Sequence, residues 1–434
     1  MRSPRAALAL ALAVAAGLLV APLAAVAPAS APNARCAAYH DVVRETSAGG
    51  VLAGRTPLLA ASYNIAGYNA SAGTMPGWES RADRVVGMIM RCSPDVIGLQ
   101  EASEAWMQRR PPGSRNHAQF EHVVDLMNAR TPGAPYRVTN TYRKSCPTTG
   151  PNPAVWNGTW HGERAPWRTC TTSASASSSD NRTVYDSRVL EVVRHGSRPL
   201  SSATSTKRTL DWTIFRVRAT GKQFLFANTH LDARYRGKAI TTSASNSFRR
   251  KQAAQVLATV KQLRAGSLPA VLVGDLNSNG RTRSTTAVDD FTRAGLVDLL
   301  GTDRRVYRSK SAKWRGSCKS VGVTSSLSAT RFARVPLHVK RRINVSYNSS
   351  NAVAGKGPGS AKNTCMYRDK KLKRPRGSTP AAYYKHQGTR IDYVLAAGIR
   401  ARGWETVVDA NLRTARYRAT PPSDHHMVAA TLAF

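Results

Sequence analysis

Asp95-Val96-Ile97-Gly98-Leu99-Gln100-Glu101 is a short apolar run that ends on two polar residues, and its reading decides the fold. Four consecutive positions without a charge mean a strand covered on both faces, as in sheets packed between other layers. The polar pair then falls at the carboxyl end, where ligands of open α/β sheets collect. Working outward, Leu58 to Ile65 reads as a second apolar strand. Between the two, Ser80 to Cys92 repeats Val85, Val86, Ile89 and Met90 at helical spacing. Further strands are expected at Thr183 to Val193, Leu210 to Arg218, Gln223 to Thr229, Ala270 to Val273, Ile391 to Ala396 and Met427 to Leu432, with a helix from Phe248 to Arg264. This mixture is an α/β sandwich. Polar stretches at 143–180, 234–247 and 301–389 read as insertions, and no internal repeat is visible.

The 434 residues are 41% hydrophobic and 21% charged, which excludes general disorder as well as collagen, coiled coil and polytopic membrane classes. Sixty-four Lys and Arg face 25 Asp and Glu, a formal net charge of +39. A chain so charged repels itself unless a polyanion or anionic surface balances it, so nucleic acid or anionic lipid is the expected partner. Arg2 and Arg5 precede an uncharged stretch from Ala6 to Ala27 and then Ala29-Ser30-Ala31, the pattern of a secretory signal cleaved after Ala31. An uncleaved anchor is the rival reading, and either one places residues 32–57, an N-terminal arm, and the domain from 58 to 434 outside the cytosol. The six cysteines fit an oxidising compartment, with Cys36–Cys92, Cys146–Cys170 and Cys318–Cys365 as the expected local staples and free buried thiols as the alternative.

Chemistry-bearing residues sit where the apolar strands end. Asn64 follows the first strand, and a carboxamide there can hold a phosphate oxygen or a metal-bound water. Glu101 offers the hard oxygen that Mg²⁺ prefers. His230, in Asn228-Thr229-His230-Leu231-Asp232, can donate to a phosphate oxygen whose charge rises during reaction. In Gly274-Asp275-Leu276-Asn277 a carboxylate and a carboxamide stand two apart, on one face of an extended segment, suited to a general base and a phosphate holder. Arg390-Ile391-Asp392-Tyr393 and Ser423-Asp424-His425 add a histidine and two carboxylates able to fix its tautomer. His426 follows directly, but neighbours on a strand point to opposite faces, so His425 is the one expected inside.

Taken in this order, the Gln-Glu pair, Gly-Asp-Leu-Asn, Arg-Ile-Asp-Tyr and Ser-Asp-His resemble the endonuclease/exonuclease/phosphatase superfamily from about Leu58 to Phe434. The resemblance implies a four-layer αββα sandwich with two central mixed β-sheets, and divalent-metal-dependent phosphoester hydrolysis at one end of it. It implies Mg²⁺ as cofactor, with Mn²⁺ or Ca²⁺ as substitutes, held by Glu101 with Asn64 and Asp424. It also implies Asp275 and Asn277 around the nucleophile and phosphate, His425 oriented by Asp392, and His230 as a second histidine. Arg390, and either Arg182 or Tyr185 from Asn181-Arg182-Thr183-Val184-Tyr185-Asp186, are the expected substrate contacts. Glu101 is followed by Ala102 and Ser103, with no Arg there to enter a minor groove.

Charge then arbitrates among substrates. Residues 301–389 carry 21 Lys and Arg but only Asp303 and Asp369, with Trp314, Tyr347, Tyr367, Tyr383 and Tyr384 interleaved, the composition of a sequence-independent nucleic-acid contact. The expectation is a secreted endonuclease of low sequence specificity acting on DNA, with RNA open, and no obligate protein partner. A sphingomyelinase-like lipid phosphodiesterase, and a non-catalytic protein bound to nucleic acid or acidic envelope polymers, are the other two readings.

Overall fold

The computed structural model describes residues 54–68, 77–103, 118–140, 180–203, 207–236, 242–265, 267–278, 285–299, 391–407, 410–411, 416–417 and 421–433. All belong to the compact unit Pro32–Phe434. The expected signal segment, residues 143–179 and 301–389, Arg390, and every cysteine but Cys92 lie outside the described residues. Cys92 is buried and disulfide-bonded.

Two six-stranded sheets carry the described fold. The first runs, in spatial order, β11 (Arg400–Val407), β14 (Met427–Ala433), β1 (Pro57–Asn64), β2 (Val96–Gln100), β4 (Arg182–Asp186) and β3 (Tyr136–Val138). The second runs β5 (Leu190–Leu200), β6 (Arg208–Val217), β7 (Gln223–His230), β8 (Ala270–Asp275), β10 (Asp392–Ala397) and β9 (Val297–Asp298). A separate ribbon pairs β12 (Ala410–Asn411) with β13 (Arg416–Tyr417). Each large sheet has one parallel pair at its centre, β1 with β2 and β7 with β8, and antiparallel pairs elsewhere. A helix joins each parallel pair, as such a crossover requires: α1 (Trp78–Met90) in the first sheet and α3 (Ser243–Arg264) in the second. The remaining helices are α2 (Gln119–Ala129) and α4 (Ala287–Arg293).

Alternation along β1 builds the layers. Leu59, Ala61 and Tyr63 face a cluster with Trp78, Val85, Ile89 and Phe120 of the helices, whereas Leu58 and Ala60 face Phe215, Phe226 and Val271 of the second sheet. On the far side, Leu225, Leu272 and Leu395 pack with Val256 and Phe291 of α3 and α4. Helix, sheet, sheet, helix is therefore the order of layers. Full burial of each large apolar side chain contributes roughly 1.5–3 kcal/mol, so the doubly covered strands hold the frame.

Two expectations need correcting. Thr183 to Val193 is two strands in different sheets, because Asp186 accepts the Arg188 amide at 2.9 Å and Val189 donates to the Asp186 carbonyl, closing a turn that carries the chain across. The helix expected from Phe248 begins at Ser243, inside the supposed 234–247 insertion, because the Thr242 side chain accepts the Ser245 amide at 3.2 Å and caps it. Polar residues on its first turn, Ser243, Ser245 and Asn246, hid that start.

At the end of the sandwich where β1, β2, β7 and β8 finish, the sheets are clamped together by polar groups. The Gln100 amide donates to Asn228 Oδ1 at 2.7 Å, and Asn228 Nδ2 donates to the carbonyls of Leu99 and Arg182, both at 3.0 Å. Gly98 makes room for this clamp: a Cβ there would stand 2.5 Å from Val273 Cγ2 and 2.8 Å from Asn228 Cγ. Buried amides paired in this way fix the register of one sheet over the other.

Candidate active site

Three donors from three elements converge on one oxygen, Oδ2 of Asp275, the last residue of β8. Asn64 Nδ2 lies 3.1 Å from it, His230 Nε2 3.4 Å and His425 Nε2 3.6 Å. The other oxygen of Asp275 accepts the Asn277 amide at 2.8 Å. Gly274 allows this close approach: at φ +153°, a Cβ would fall 1.9 Å from the Thr229 carbonyl oxygen on β7. Asp275 is 1% exposed. Burial first, and then the Asp392 charge, push its carboxyl up to about 7, against the opposing pull of His425, the Asn277 amide and Asn64.

His425 is held from behind. Its Nδ1 lies 2.8 Å from Asp392 Oδ2, and its backbone amide donates to Ser423 Oγ at 3.2 Å. The Ser423 hydroxyl donates in turn to the Asn64 carbonyl at 2.7 Å, tying the segment before β14 to the end of β1. Burial alone would lower the His425 pKa, but the carboxylates of Asp392, Asp275 and Asp424 outweigh it and raise it well above the ordinary value. Asp275, Asp392 and His425 also bring their ligand-type atoms within 4.8 Å of one another. His426 is buried too, and burial, with a smaller push from the His425 charge, drops its pKa to about 3.

Glu101, one residue past β2, stands in the left-handed region at φ +54°. Its Oε1 accepts Asn64 Nδ2 at 3.0 Å and its Oε2 accepts the Gly67 amide at 3.1 Å. Asn64 Oδ1 accepts the Ala66 amide at 3.0 Å, while its NH₂ faces the carboxylates of Glu101 and Asp275. Its amide oxygen has a second lone pair, so the chemistry of both expected roles, phosphate holding and metal ligation, is present. Asp424, half-buried, has its pKa raised by burial and, in smaller measure, by the Glu101 charge; Asp180 is pushed up to about 6 by burial with Glu101 contributing. Oδ1 of Asp180 is buried without a hydrogen-bond partner. The Glu101 charge acts on both Asp424 and Asp180, and carboxylate oxygens are the donors that suit a hard divalent cation at the Glu101 side.

The other expected residues are scattered more widely. Asn277, at φ +45°, donates through Nδ2 to the Leu231 carbonyl at 2.9 Å. Arg182 begins β4 at the site end, but its guanidinium lies 4.3 Å over the Phe120 ring and donates to the Asn181 carbonyl. Tyr185 stands opposite Val96, at the far end of β2, with its ring 5.2 Å from that of Phe215 in the inter-sheet core. The structure does not bring Tyr185 to the cluster. Its strand begins at the site, and three residues carry the chain to the other end of the sheet.

Sequence reasoning missed four residues. Arg208 begins β6 and lies 2.8 Å from His230 Nδ1. Asp180 was assigned to an insertion, yet its carbonyl accepts the Ala102 amide at 2.8 Å, beside Glu101. Arg81 of α1 donates to the carbonyls of Ile65, Ala66, Gly67 and Pro422, holding together the segments that present Asn64 and His425. Gln119 of α2 donates to Ala66 and accepts from Ser103. None has a motif around it; the one available signal was the charge of Arg81 on the apolar face of its helix, with Val85 one turn later.

The family model described as "Endonuclease/Exonuclease/phosphatase family" matches residues 61–425. Solved structures similar to this chain include a protein of that family from Bacteroides thetaiotaomicron, 19% identical over 88% of this chain and 98% of its own, TM-score 0.48. Others are the mannosyl-6-phosphatase of Bacteroides thetaiotaomicron VPI-5482 (20%, 87% and 100%, TM-score 0.46) and the human nocturnin catalytic domain with bound sulfate (15%, 87% and 97%, TM-score 0.44). No curated protein matches.

Proposed function

Because the chain belongs to the endonuclease/exonuclease/phosphatase family, we propose that it is a secreted, Mg²⁺-dependent phosphodiesterase that cleaves nucleic acid, DNA in preference, with low sequence specificity. The observation that carries the reading is the convergence of Asn64, His230 and His425 on Asp275. One buried carboxyl that titrates near 7 is suited to take a proton from an attacking water at neutral pH. Around it, the Asn64 amide, His230 and the Asp392-held imidazolium of His425 supply donors to phosphoryl oxygens as negative charge builds. Water attacks phosphorus, its proton passes to Asp275, and the ester oxygen leaves on the opposite side.

Glu101, with Asp424 and Asp180 nearby, would hold the cation, whose chemistry is to neutralise charge on the phosphoryl group. Asn277 steadies the turn after β8, and Arg182 sits beneath the site end of β4. The nucleic-acid substrate is supported by the net charge of +39 and the basic stretch 301–389, and secretion by residues 1–31. Plasmid degradation measured beside phosphocholine release from sphingomyelin, each with and without EDTA, tests the reading. Loss of plasmid that EDTA abolishes supports it, whereas phosphocholine release alone makes the enzyme a lipid phosphodiesterase, and activity in neither assay overturns catalysis. Neutralising Lys370, Lys371, Lys373, Arg374 and Arg376 is expected to weaken DNA cleavage at physiological salt and flatten its salt dependence by about 0.9 in slope per lost contact. A small chromogenic diester should be cleaved within about threefold of the parent rate, a barrier change of roughly 0.65 kcal/mol.

A further inference from the structure

The two histidines of the site face opposite partners. Behind His425 stands a carboxylate, Asp392; behind His230 stands a guanidinium, Arg208, whose Nη1 lies 2.8 Å from His230 Nδ1. A guanidinium has five N–H donors, no acceptor, and does not lose its proton in proteins. A contact of that length is a hydrogen bond only if Nδ1 offers its lone pair. The single ring proton of His230 must then reside on Nε2, the nitrogen that points at Asp275 Oδ2 from 3.4 Å.

Arg208 is itself fixed. Its Nε donates to Asp232 Oδ1 at 3.0 Å, two residues beyond the histidine it controls, and it is only 9% exposed. The charged and titratable groups facing His230 are Arg208, Asp180, Asp275 and His425. Asp180 Oδ2 lies 3.9 Å from Nδ1, beyond hydrogen-bond reach, so it does not compete with Arg208 for that nitrogen. Asp275 Oδ2 faces the other nitrogen from 3.4 Å.

We propose that Arg208 is a positioning residue that locks His230 as the neutral Nε2–H tautomer, making it a fixed hydrogen-bond donor to the substrate phosphoryl group and barring it from acting as a base. The target of the donor rests on the phosphoesterase reading; the tautomer does not. Proton acceptance then falls to Asp275, and the two imidazoles divide into one neutral donor and one charged donor.

The test is the ¹⁵N–¹H long-range correlation spectrum of the imidazoles in the full chain, with His230 assigned by its disappearance in His230→Gln. The expected spectrum has His230 Nδ1 unprotonated and Nε2 protonated from about pH 5 to about pH 8, the window in which an unperturbed histidine titrates. In Arg208→Gln the ring should lose that fixed state, and kcat on a small phosphodiester should fall by about tenfold or more with KM changed less than about threefold, since a misplaced ring proton costs the transition state rather than binding. Arg208→Lys, which keeps a cationic donor, should restore the tautomer and part of kcat. An imidazolium or Nδ1–H ring in the parent protein overturns the proposal, and so does a kcat in Arg208→Gln that is unchanged or that falls without a change in the ring spectrum. If no phosphoester is cleaved, the functional reading fails while the parent spectrum still decides the tautomer, as it does if Arg208→Gln does not fold.

Discussion

The two sheets share one pattern of pairing, a central parallel pair flanked by antiparallel ones, and put different chemistry at the same place. In the first, Asn64 of β1 stands in register with Gln100 of β2; in the second, His230 of β7 stands in register with Asp275 of β8. Gln100 turns to the opposite sheet and clamps Asn228, so the acid of the first sheet comes one residue later, from Glu101 in a left-handed turn. In the second sheet the acid is the ladder residue itself. Glu101 is therefore half-buried and outside the strand, while Asp275 is sealed at 1% exposure and pushed up to about 7 by burial. In the proposed function, one pattern used twice makes a holding half and a proton-handling half.

The sharpest way to break this division is to remove the proposed cation ligand and, separately, the imidazole whose Nε2 faces Asp275. Glu101→Gln and His425→Ala are each expected to lower the hydrolysis rate by at least about a hundredfold, roughly 2.7 kcal/mol of barrier, with melting temperatures preserved. Raising Mg²⁺ should recover part of the Glu101→Gln loss and none of the His425→Ala loss. Equal recovery in a Mg²⁺ titration of both would abolish the distinction between the halves.

Stability probes the two glycines that let the halves meet. Gly274→Ala drives a methyl into the Thr229 carbonyl within one sheet, a backbone contact that cannot relax, and should cost about 3 kcal/mol or more in urea unfolding. Gly98→Ala presses on the side chains of Val273 and Asn228 across the sheets, which can give a little, and should cost about 1–3 kcal/mol. The reverse ranking would mean that the approach of the sheets is tighter than the joint between β7 and β8.

A smaller effect separates the two ends of the sandwich. Asp95, just before β2 at the end away from the site, accepts the Leu59 amide at 2.7 Å, and burial pushes its carboxyl up to about 7, like that of Asp275. A carboxyl whose pKa is higher folded than unfolded holds its proton better in the native state, so stability falls as pH rises from the ordinary carboxylate range through about 7. Asp95→Asn should flatten that fall in a melting-temperature series and leave the pH profile of kcat untouched, whereas Asp275→Asn should remove activity. A kcat profile altered by Asp95→Asn would show the two ends to be coupled. Smallest of all, Tyr185→Phe should keep activity within about twofold, because the ring packs on Phe215 at the far end; a larger loss in a steady-state assay would return this residue to the site.

Local pattern determined most of the frame. The strand ends of Asn64, Glu101, His230 and Asp275 were legible because an apolar run that stops on a polar residue announces a covered strand and its mouth, and Asp392 with His425 followed from family motifs. What sequence could not give is which polar residue near a strand end turns inward. Tyr185 and Arg182 share a strand, but three residues of extended chain run about 10 Å, enough to separate the ends of a short strand. Arg208 and Asp180 carry no signal, since Arg208 meets His230 and Asp232 only when β6 pairs with β7, and Asp180 comes beside Glu101 only when β4 pairs with β2. The sequence by itself determined the layers, the strand mouths and the cast of carboxylates and imidazoles. Only the tertiary structure decided the protonation of each histidine, because a tautomer is set by the atom behind the ring, here a guanidinium for one and a carboxylate for the other.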